Sequence, residues 1–246
     1  MAGQLEGKVA VITGAARGQG AAEARLFAAE GAKVVLTDLS GAGAGAAVAA
    51  GIGPSALFIE QDVGDEAGWA DVVSATLAAF GRIDILVNNA GIYIPRALPD
   101  TDAALMERHY RVNQLGVFLG MKAVIDAMTA AGGGSIVNIS SQAGQAGHPG
   151  MFAYATTKWA VRGMTKVAAQ DLARLKIRVN SVHPGLIDTP MLDENTQAAL
   201  DAFKQATPLG RLGTVEEIAD LVLFLASERS SFITGAEVAI TGGIGL

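Results

Sequence analysis

The stretch Thr13-Gly14-Ala15-Ala16-Arg17-Gly18-Gln19-Gly20 decides the fold, because it joins a predicted strand to a predicted helix. An apolar run from Lys8 to Thr13 precedes it, and helical periodicity follows it. Gly14 permits a tight turn, Gly18 lets the backbone approach a pyrophosphate, and Gly20 permits close packing of the helix on the sheet. Phosphate oxygens are attracted to the free amide groups at such a helix N-terminus. The stretch therefore predicts a dinucleotide-binding turn.

Asp38 ends the second predicted strand, 18 residues after Gly20. A carboxylate at this place can accept hydrogen bonds from the adenosine ribose hydroxyls and repel a 2′-phosphate, which favours NAD. Arg17 is evidence against this preference for NAD, since a guanidinium beside the loop could contact a phosphate. However, the residue that follows Asp38 is Leu39 and not a basic residue. A solvated strand end is the alternative interpretation of Asp38. We predict NAD, with Arg17, Gln19 and Leu39 among its contacts.

Short apolar runs alternate with helical segments along the rest of the chain. The predicted strands are Lys8 to Thr13, Lys33 to Thr37, Ala56 to Ile59, Asp84 to Asn88, Ser135 to Ser140, Ile177 to Val182 and Glu237 to Thr241. The predicted helices are Gln19 to Glu30, Glu66 to Phe80, Val112 to Ala131, Phe152 to Leu175 and Val215 to Ser227. This alternation predicts a doubly wound α/β fold of the Rossmann type, a seven-stranded parallel sheet with helices on both faces. We expect one domain over residues 1–246. The Gly/Ala-rich stretch from Ser40 to Gly53 predicts only a weak helix.

Composition excludes several classes of function. Acidic residues outnumber basic ones by 24 to 18, with no basic cluster, so we expect no nucleic-acid partner. The chain has no cysteine and its three histidines show no ligand spacing, so we predict no metal site. No run approaches the ~20 apolar residues that span a bilayer, and the opening stretch lacks a signal peptide. We therefore expect a cytoplasmic protein that acts on small molecules, without a membrane partner.

Tyr154 and Lys158 lie four residues apart in a helical segment, so their side chains leave the same face of one helix. A tyrosine hydroxyl titrates near ~10, and a neighbouring cation favours its ionised form. Such a phenol suits acid/base catalysis. Taken alone, the pair is more typical of a solvated helix surface than of a catalytic site.

Four features in order resemble the short-chain dehydrogenase/reductase family over essentially the whole chain. They are the glycine loop, Asn88-Asn89-Ala90-Gly91, Ser141, which precedes Tyr154 by thirteen residues, and the Tyr154/Lys158 pair. The resemblance implies a catalytic tetrad of Asn113, Ser141, Tyr154 and Lys158.

The resemblance also implies a role for each member of this tetrad. Tyr154 exchanges the proton and Ser141 steadies the substrate oxygen, while Lys158 lowers the pKa of Tyr154 and binds the nicotinamide ribose. Asn113 supports a water-linked proton path from Lys158. From the residues alone, Asn113 could instead cap a helix start.

Further cofactor contacts follow from the same resemblance. Asp62 and Val63 resemble the pair beside the adenine, and the turn of Asn89, Ala90 and Gly91 resembles the one beside the adenosine ribose. After the sixth strand, the resemblance assigns nicotinamide contacts to Pro184, Gly185, Ile187 and Thr189. We interpret His183 as a hydrogen-bonded loop residue and do not predict that it is catalytic.

The candidate substrate pocket has a mostly apolar lining. Its predicted residues are Ile92, Tyr93, Ile94, Pro95, Gln142, Ala143, His148, Met151 and the segment from Leu186 to Phe203. Without an Arg or Lys cluster in the first two of these regions, we do not expect a phosphate or polycarboxylate ligand. We predict a substrate lid over about residues 186–210. The stretch from Ser135 to Thr189 resembles bacterial 3α,20β-hydroxysteroid dehydrogenases.

The resemblance thus implies an NAD-dependent oxidoreductase that interconverts a hydrophobic secondary alcohol, whether alicyclic, terpenoid or steroid, and its ketone. Two alternatives remain open: a 3-oxoacyl-thioester reductase that uses NADPH, and a nucleotide-binding regulator with little turnover. In the family the last strand commonly lies at a subunit interface, which implies a homotetramer.

Overall fold

Seven parallel strands form one sheet in the order β3-β2-β1-β4-β5-β6-β7. The computed structural model describes residues 3–39, 43–194 and 196–245. The strands are β1 (Val9–Thr13), β2 (Lys33–Asp38), β3 (Ala56–Glu60), β4 (Ile85–Asn88), β5 (Gly134–Ile139), β6 (Ile177–Pro184) and β7 (Glu237–Ile240). Each lies on a predicted apolar run, so the seven-stranded parallel sheet is confirmed. Asp38 is the last residue of β2, as predicted.

Eight α-helices occur in the described residues. They are α1 (Gly18–Ala29), α2 (Ala44–Ile52), α3 (Glu66–Phe80), α4 (Ala103–His109), α5 (Gly116–Ala130), α6 (Phe152–Leu172), α7 (Gln197–Ala206) and α8 (Val215–Ala226). The weak helix predicted in the Gly/Ala-rich stretch is α2, although residues 40–42 of that stretch lie outside the described residues. The prediction missed α4, a helix of only seven residues whose N-cap, Asp102, accepts a hydrogen bond from Leu105 N.

The predicted helix from Val112 to Ala131 is wrong at its start. Residues Tyr110–Leu115 form a π-helical turn between α4 and α5, and the α-helix begins at Gly116. A wider turn of this kind adds a residue to the helical path and redirects the side chains it carries. It places Asn113 toward the site.

The sheet is covered on both faces, as the doubly wound prediction requires. Ile12 of β1 belongs to one core cluster, with α1 and α8, while Val11 belongs to the other, with α3 and α5. Successive strand residues point to opposite faces, so a strand buried on both sides must be apolar throughout. All five residues of β1 are buried. The chain forms a single domain around these two cores.

The order of the strands reverses between β1 and β4, which pair in parallel through Ala10 and Ile85. In open parallel sheets, a crevice forms beyond the carboxyl ends of the strands at such a point. A row of buried polar residues lies just below it, where Asn88 Nδ2 donates to Asn138 Oδ1 at 2.9 Å and Asn138 Nδ2 donates to Thr165 Oγ1 at 3.0 Å. These bonds fix β4, β5 and α6 relative to one another beneath the crevice.

Candidate active site

The predicted dinucleotide turn follows β1 and touches the turn after β4. A Cβ on Gly14 would lie 2.8 Å from Ala90 Cα, and one on Gly20 would lie 2.6 Å from Asn89 Nδ2. Gly18 has a φ of +58°, and the nearest atom to a Cβ there would be Thr189 Cγ2, at 3.8 Å. Backbone conformation therefore requires glycine at 18, whereas close packing requires it at 20.

Asn89 and Thr13 clamp these two turns together. Asn89 Nδ2 donates to the carbonyl oxygens of Thr13 and Gly14 at 2.9 and 3.1 Å. Thr13 Oγ1 accepts from the backbone nitrogens of Asn89 and Ala90 at 3.1 and 3.0 Å. The side chain of Asn89 thus shapes the loop, and Thr13 is a site residue that the sequence reasoning missed. The sequence signal that could have identified Thr13 was its position as the last residue of β1, directly before Gly14.

Asp38 lies beside the loop, where its carboxylate accepts from Ala16 N at 3.0 Å and from Leu39 N at 2.8 Å. The carboxylate is therefore held at the carboxyl end of β2, where the crevice opens. Leu39 has 61% of its surface exposed, and Arg17 is exposed on the loop.

The other predicted cofactor residues lie along the same edge of the sheet. Asp62 Oδ1 accepts from Gly64 N at 2.8 Å, and Val63 packs against Gly116, where a Cβ would lie 2.7 Å from Val63 Cγ2. Ile187 is buried and pairs with Gly213. Gly185 packs so closely against Thr241 that a Cβ on residue 185 would not fit. Since Thr189 faces Gly18, the segment after Pro184 reaches back to the loop after β1.

Tyr154 and Lys158 project from α6 into the crevice. Lys158 is buried, its Nζ donates to the Ile139 carbonyl oxygen at 2.8 Å, and it lies 5.8 Å from the centre of the Tyr154 ring. Burial lowers the pKa of Lys158 to about 8. Burial also raises the pKa of Tyr154 to about 12, although a hydrogen bond with the Ser141 side chain opposes the rise.

The pKa of Tyr154 is thus raised in this structure, with burial as its largest cause, and Lys158 is not among the causes of the shift. Desolvation penalises the charged forms of both groups, so it raises the pKa of Tyr154 and lowers that of Lys158. Tyr93 adds to the rise, and its ring meets the Tyr154 ring edge to face, with centroids 5.1 Å apart. With a pKa of about 12, the Tyr154 hydroxyl keeps its proton over the neutral range of pH.

Ser141 follows the end of β5 and caps a short 3-10 turn, Gln142–Gly144. Its Oγ accepts a hydrogen bond from Ala143 N at 3.1 Å. The neighbouring Ser140 is fully buried, and its Oγ donates to the Lys158 carbonyl oxygen at 2.9 Å. Ser140 is thereby occupied in fixing α6, while Ser141 interacts with Tyr154.

Asn113 lies in the π-helical turn and is fully buried. Its Oδ1 accepts from Ile92 N at 2.8 Å, and its Nδ2 donates to the Ile92 carbonyl oxygen at 3.0 Å and to Thr157 Oγ1 at 3.3 Å. Its side chain therefore bridges the loop after β4 and α6, and the helix-cap alternative is wrong. A Cβ on Gly91 would lie 3.4 Å from both Asn113 Oδ1 and Lys158 Nζ. Gly91 leaves space between these two groups.

His183 is buried with both ring nitrogens hydrogen-bonded, as predicted, but it belongs to β6 rather than to a loop, because the strand continues to Pro184. Residues 3–39, 43–194 and 196–245 hold no group of three or more His, Asp or Glu able to bind a metal ion. Among the helices of these ranges, none combines the length and apolar character needed to cross a bilayer.

Known proteins resemble this chain over nearly all of its length. A family model described as enoyl-(acyl carrier protein) reductase, of the short-chain dehydrogenase/reductase type, matches residues 14–245. The trans-4-hydroxycyclohexanecarboxylate dehydrogenase of Sinomonas cyclohexanicum is 49% identical, a match that covers 96% of this chain and 92% of that protein. The chain belongs to the short-chain dehydrogenase/reductase family.

Two further relatives are similar over as much of the chain. A 3-alpha-(or 20-beta)-hydroxysteroid dehydrogenase of Mycobacterium bovis is 46% identical, with 99% of this chain and 91% of that protein covered. A cyclopentanol dehydrogenase of Comamonas testosteroni is 43% identical, with 98% of both chains covered. The protein is thus an oxidoreductase of the short-chain dehydrogenase/reductase family.

A short-chain dehydrogenase of this kind uses a nicotinamide cofactor, which supplies or accepts the hydride when bound. The described residues fit such a group. Gly18 leaves open space on the loop at the N-terminus of α1, and Asp38 presents a carboxylate beside that loop. Gln19 Oε1 is buried there without a hydrogen-bond partner, so a polar partner from a ligand would satisfy it.

Proposed function

We propose that this protein is an NAD-dependent dehydrogenase that interconverts a hydrophobic secondary alcohol and its ketone, with alicyclic, terpenoid or steroid alcohols as substrates. The arrangement of Ser141, Tyr154, Lys158 and Asn113 around the crevice carries the proposal. The three relatives described above are named for their action on cyclohexane, steroid and cyclopentane alcohols. Ring-bearing secondary alcohols are therefore the substrate class that we propose.

Each member of the tetrad has a proposed role that its contacts support. Tyr154 gives its proton to the ketone oxygen during reduction and takes it from the alcohol during oxidation. Ser141 donates a hydrogen bond to that oxygen and stabilises charge that develops on it. Lys158 holds a buried positive charge near the phenol, and its pKa of about 8 keeps this charge present at neutral pH. Asn113 holds the loop at Ile92 and Gly91 against α6.

Asp38 supports NAD rather than NADP as the proposed cofactor. Its carboxylate is fixed at the end of β2 by Ala16 N and Leu39 N, so it cannot easily turn away from a ligand. A negative charge held there accepts hydrogen bonds from ribose hydroxyls and repels a 2′-phosphate.

The proposed pocket adjoins Tyr154, and the proposed lid follows β6 along the chain. Tyr93 presents its ring to Tyr154, and Ile92, Ile94 and Pro95 add apolar surface. The segment over about residues 186–210 contains a 3-10 turn, Pro190–Glu194, and α7, while Asn195 lies outside the described residues. Leu209 N donates to the Gly242 carbonyl oxygen at 3.1 Å, which anchors the end of this segment. We propose that the part before this anchor closes over the substrate.

A kinetic panel tests the proposed function. Nicotinamide absorbance is followed with NAD and with NADP, against cyclopentanol, trans-4-hydroxycyclohexanecarboxylate, a 3α-hydroxysteroid and a 3-hydroxyacyl thioester. We expect the highest kcat/KM with NAD and one of the ring alcohols. Turnover confined to NADP and the thioester would contradict the proposal and support the alternative.

That alternative is a 3-oxoacyl-thioester reductase that uses NADPH. Two observations favour it: the matching family model is described by an acyl carrier protein substrate, and Arg17 is exposed on the loop. The fixed carboxylate of Asp38 weighs against it. The third possibility, a nucleotide-binding regulator, requires cofactor binding without turnover of any compound in the panel.

We also propose a homotetramer, on the basis of the family resemblance. Phe232, just before β7, is fully exposed, and Trp159 of α6 has 47% of its surface exposed. Large apolar side chains of this kind are commonly covered in an assembly. Light scattering in solution tests the proposal, since a single species of monomer mass would contradict it.

A further inference from the structure

His183 connects the turn that carries Ser141 to the sheet. Its Nδ1 lies 3.1 Å from the Ser141 carbonyl oxygen, and its Nε2 lies 2.8 Å from Ser181 Oγ. We propose that His183 is a positioning residue, which holds the Ser141 peptide so that its hydroxyl reaches the substrate oxygen. This inference rests on the role proposed above for Ser141.

The partners of His183 define its tautomer. A carbonyl oxygen only accepts hydrogen bonds, so the proton of the neutral ring lies on Nδ1 and is donated to Ser141. Nε2 then accepts the hydroxyl proton of Ser181. Burial lowers the pKa of His183, which favours this neutral ring. The ring is fully buried, so no water replaces either partner.

The Ser141 carbonyl has a second hydrogen bond, which has a different effect. Gly144 N donates to it at 2.9 Å, and this bond closes the 3-10 turn on itself. A turn closed only by its own bond can still shift as a unit relative to the sheet. The bond from His183 joins the same oxygen to β6, so it restrains the position of the turn.

Neighbouring anchors hold other points of the turn. Ser140 N donates to the Val182 carbonyl oxygen at 2.8 Å, and Arg162 Nη1 donates to the Gly144 carbonyl oxygen at 2.9 Å. These bonds fix the residue before Ser141 and the end of the turn. His183 holds the peptide group of Ser141 itself. Removing its donor therefore acts most directly on Ser141.

The position of Ser141 Oγ matters because hydrogen bonds weaken steeply with distance and angle. A displacement of about 1 Å at a reacting centre can reduce turnover by about a hundredfold. We expect a smaller effect, about tenfold in kcat, when His183 is lost, because the other anchors of the turn remain.

The test compares two substitutions whose side chains have the same number of heavy atoms and branch at Cγ, H183N and H183L. The amide nitrogen of Asn stands where Nδ1 stands in His, so H183N retains a donor for the Ser141 carbonyl, whereas H183L does not. With NAD and either cyclopentanol or trans-4-hydroxycyclohexanecarboxylate, we expect H183L to lose about tenfold in kcat and H183N to stay within about threefold of the wild type. Equal losses in both variants would overturn the proposal. The Tm and the NAD affinity of each variant are measured to detect misfolding.

A double-mutant cycle with S141A separates positioning from general damage. If His183 acts through Ser141, H183L costs little further activity once the Ser141 hydroxyl is absent. An undiminished additional loss in the S141A background would overturn the proposal. Unchanged turnover in S141A alone would instead contradict the role proposed for Ser141, so the two failures are distinguishable.

A crystal structure of H183L gives a result that does not depend on turnover. We expect the Ser141 carbonyl to move away from β6, with Ser141 Oγ displaced from Tyr154. Unchanged positions of both atoms would overturn the inference even if no panel alcohol were a substrate.

Discussion

At the Tyr154 hydroxyl, burial and hydrogen bonding have opposite effects on the pKa. Burial is the larger effect and raises the pKa to about 12, while the contact with Ser141 lowers it. The buried Lys158 has the opposite shift, to about 8, for the same reason. A phenol that keeps its proton at neutral pH is suited to donate it to a ketone oxygen. The burial of its hydroxyl therefore supports the role proposed for Tyr154 as the general acid in the reductive direction.

The substitution Y154F tests this role directly. Without its hydroxyl, residue 154 can neither give nor take a proton, so we expect kcat to fall by about a hundredfold or more. NADH affinity, followed by the fluorescence of its reduced nicotinamide ring, should stay within about threefold, because the aromatic ring of residue 154 and Lys158 remain. The matched control is Y110F, at an exposed position outside the proposed site, which should retain wild-type turnover. Full activity in Y154F would refute the assignment.

Glu23 of α1 is a buried carboxyl that the proposed chemistry does not use. It is fully buried, neither oxygen has a hydrogen-bond partner, and burial raises its pKa from 4.5 to about 8. Between these two values the folded protein holds a proton that the unfolded chain releases. The free energy of unfolding should therefore fall as pH rises through this window, with the stabilising contribution complete only below about 4.5.

Urea unfolding of E23Q and E23L at fixed protein concentration, between pH 5 and pH 9, checks this prediction. Both variants remove the titrating group, so the fall of unfolding free energy with pH should become smaller than in the wild type. E23L also removes an unsatisfied polar group, so at pH 8 we expect it to be more stable than the wild type by about 1 kcal/mol or more. A pH dependence as steep as that of the wild type in E23Q would contradict the pKa of about 8.

Among the helical segments, the π-helical turn Tyr110–Leu115 decides where the Asn113 side chain points. Its amide makes two hydrogen bonds with the backbone of Ile92 and a third with Thr157. One side chain thus joins three elements: the turn itself, the loop after β4 and α6. A buried amide whose oxygen and nitrogen both have hydrogen-bond partners makes such a junction rigid.

The substitution N113L keeps the size of the side chain and removes its hydrogen bonds. The backbone nitrogen and oxygen of Ile92 would then lose their buried partners, at a cost of about 1–3 kcal/mol each. We expect a lower free energy of unfolding, measured in urea, and reduced turnover with the panel alcohols. Q114L makes a similar change at the next, partly buried position and should alter stability by only about 0.5 kcal/mol. Equal effects of the two substitutions would contradict the role of the junction.

Over the whole molecule, two cores on opposite faces of the sheet support one crevice. The loops that follow β1, β4, β5 and β6 all begin at the crevice, because parallel strands have their carboxyl ends at the same edge of the sheet. The proposed tetramer would cover further apolar surface outside these cores, including Phe232.

The substitution F232D tests that outer surface. A carboxylate in place of an exposed aromatic ring costs little in a monomer but is unfavourable when desolvated at an interface. We expect light scattering to show a smaller assembly than the wild type at the same concentration. L98D, also at an exposed apolar position, is the control and should leave the mass unchanged. An unchanged mass in F232D would exclude Phe232 from the interface.

Sequence patterns predicted the strands well, because a strand buried on both faces must be apolar along its whole length, as β1 is. The end of β2 at Asp38 was predicted for the same reason. The patterns failed at the start of α5, because a π-helical segment of six residues is little more than one turn and is too short to show a period of its own. They also missed α4, whose seven residues are too few for a clear period.

By itself, the sequence determined the glycine loop, its position between β1 and α1, and the family to which the chain belongs. These properties are local, since they depend on which residues permit a turn, a strand or a helix. Only the tertiary structure decided the pKa of Tyr154, the bridge from Asn113 to Ile92 and the link from His183 to Ser141. Each of these depends on burial or on a contact between residues far apart in the chain. Desolvation and long-range hydrogen bonds exist only once the elements have packed together.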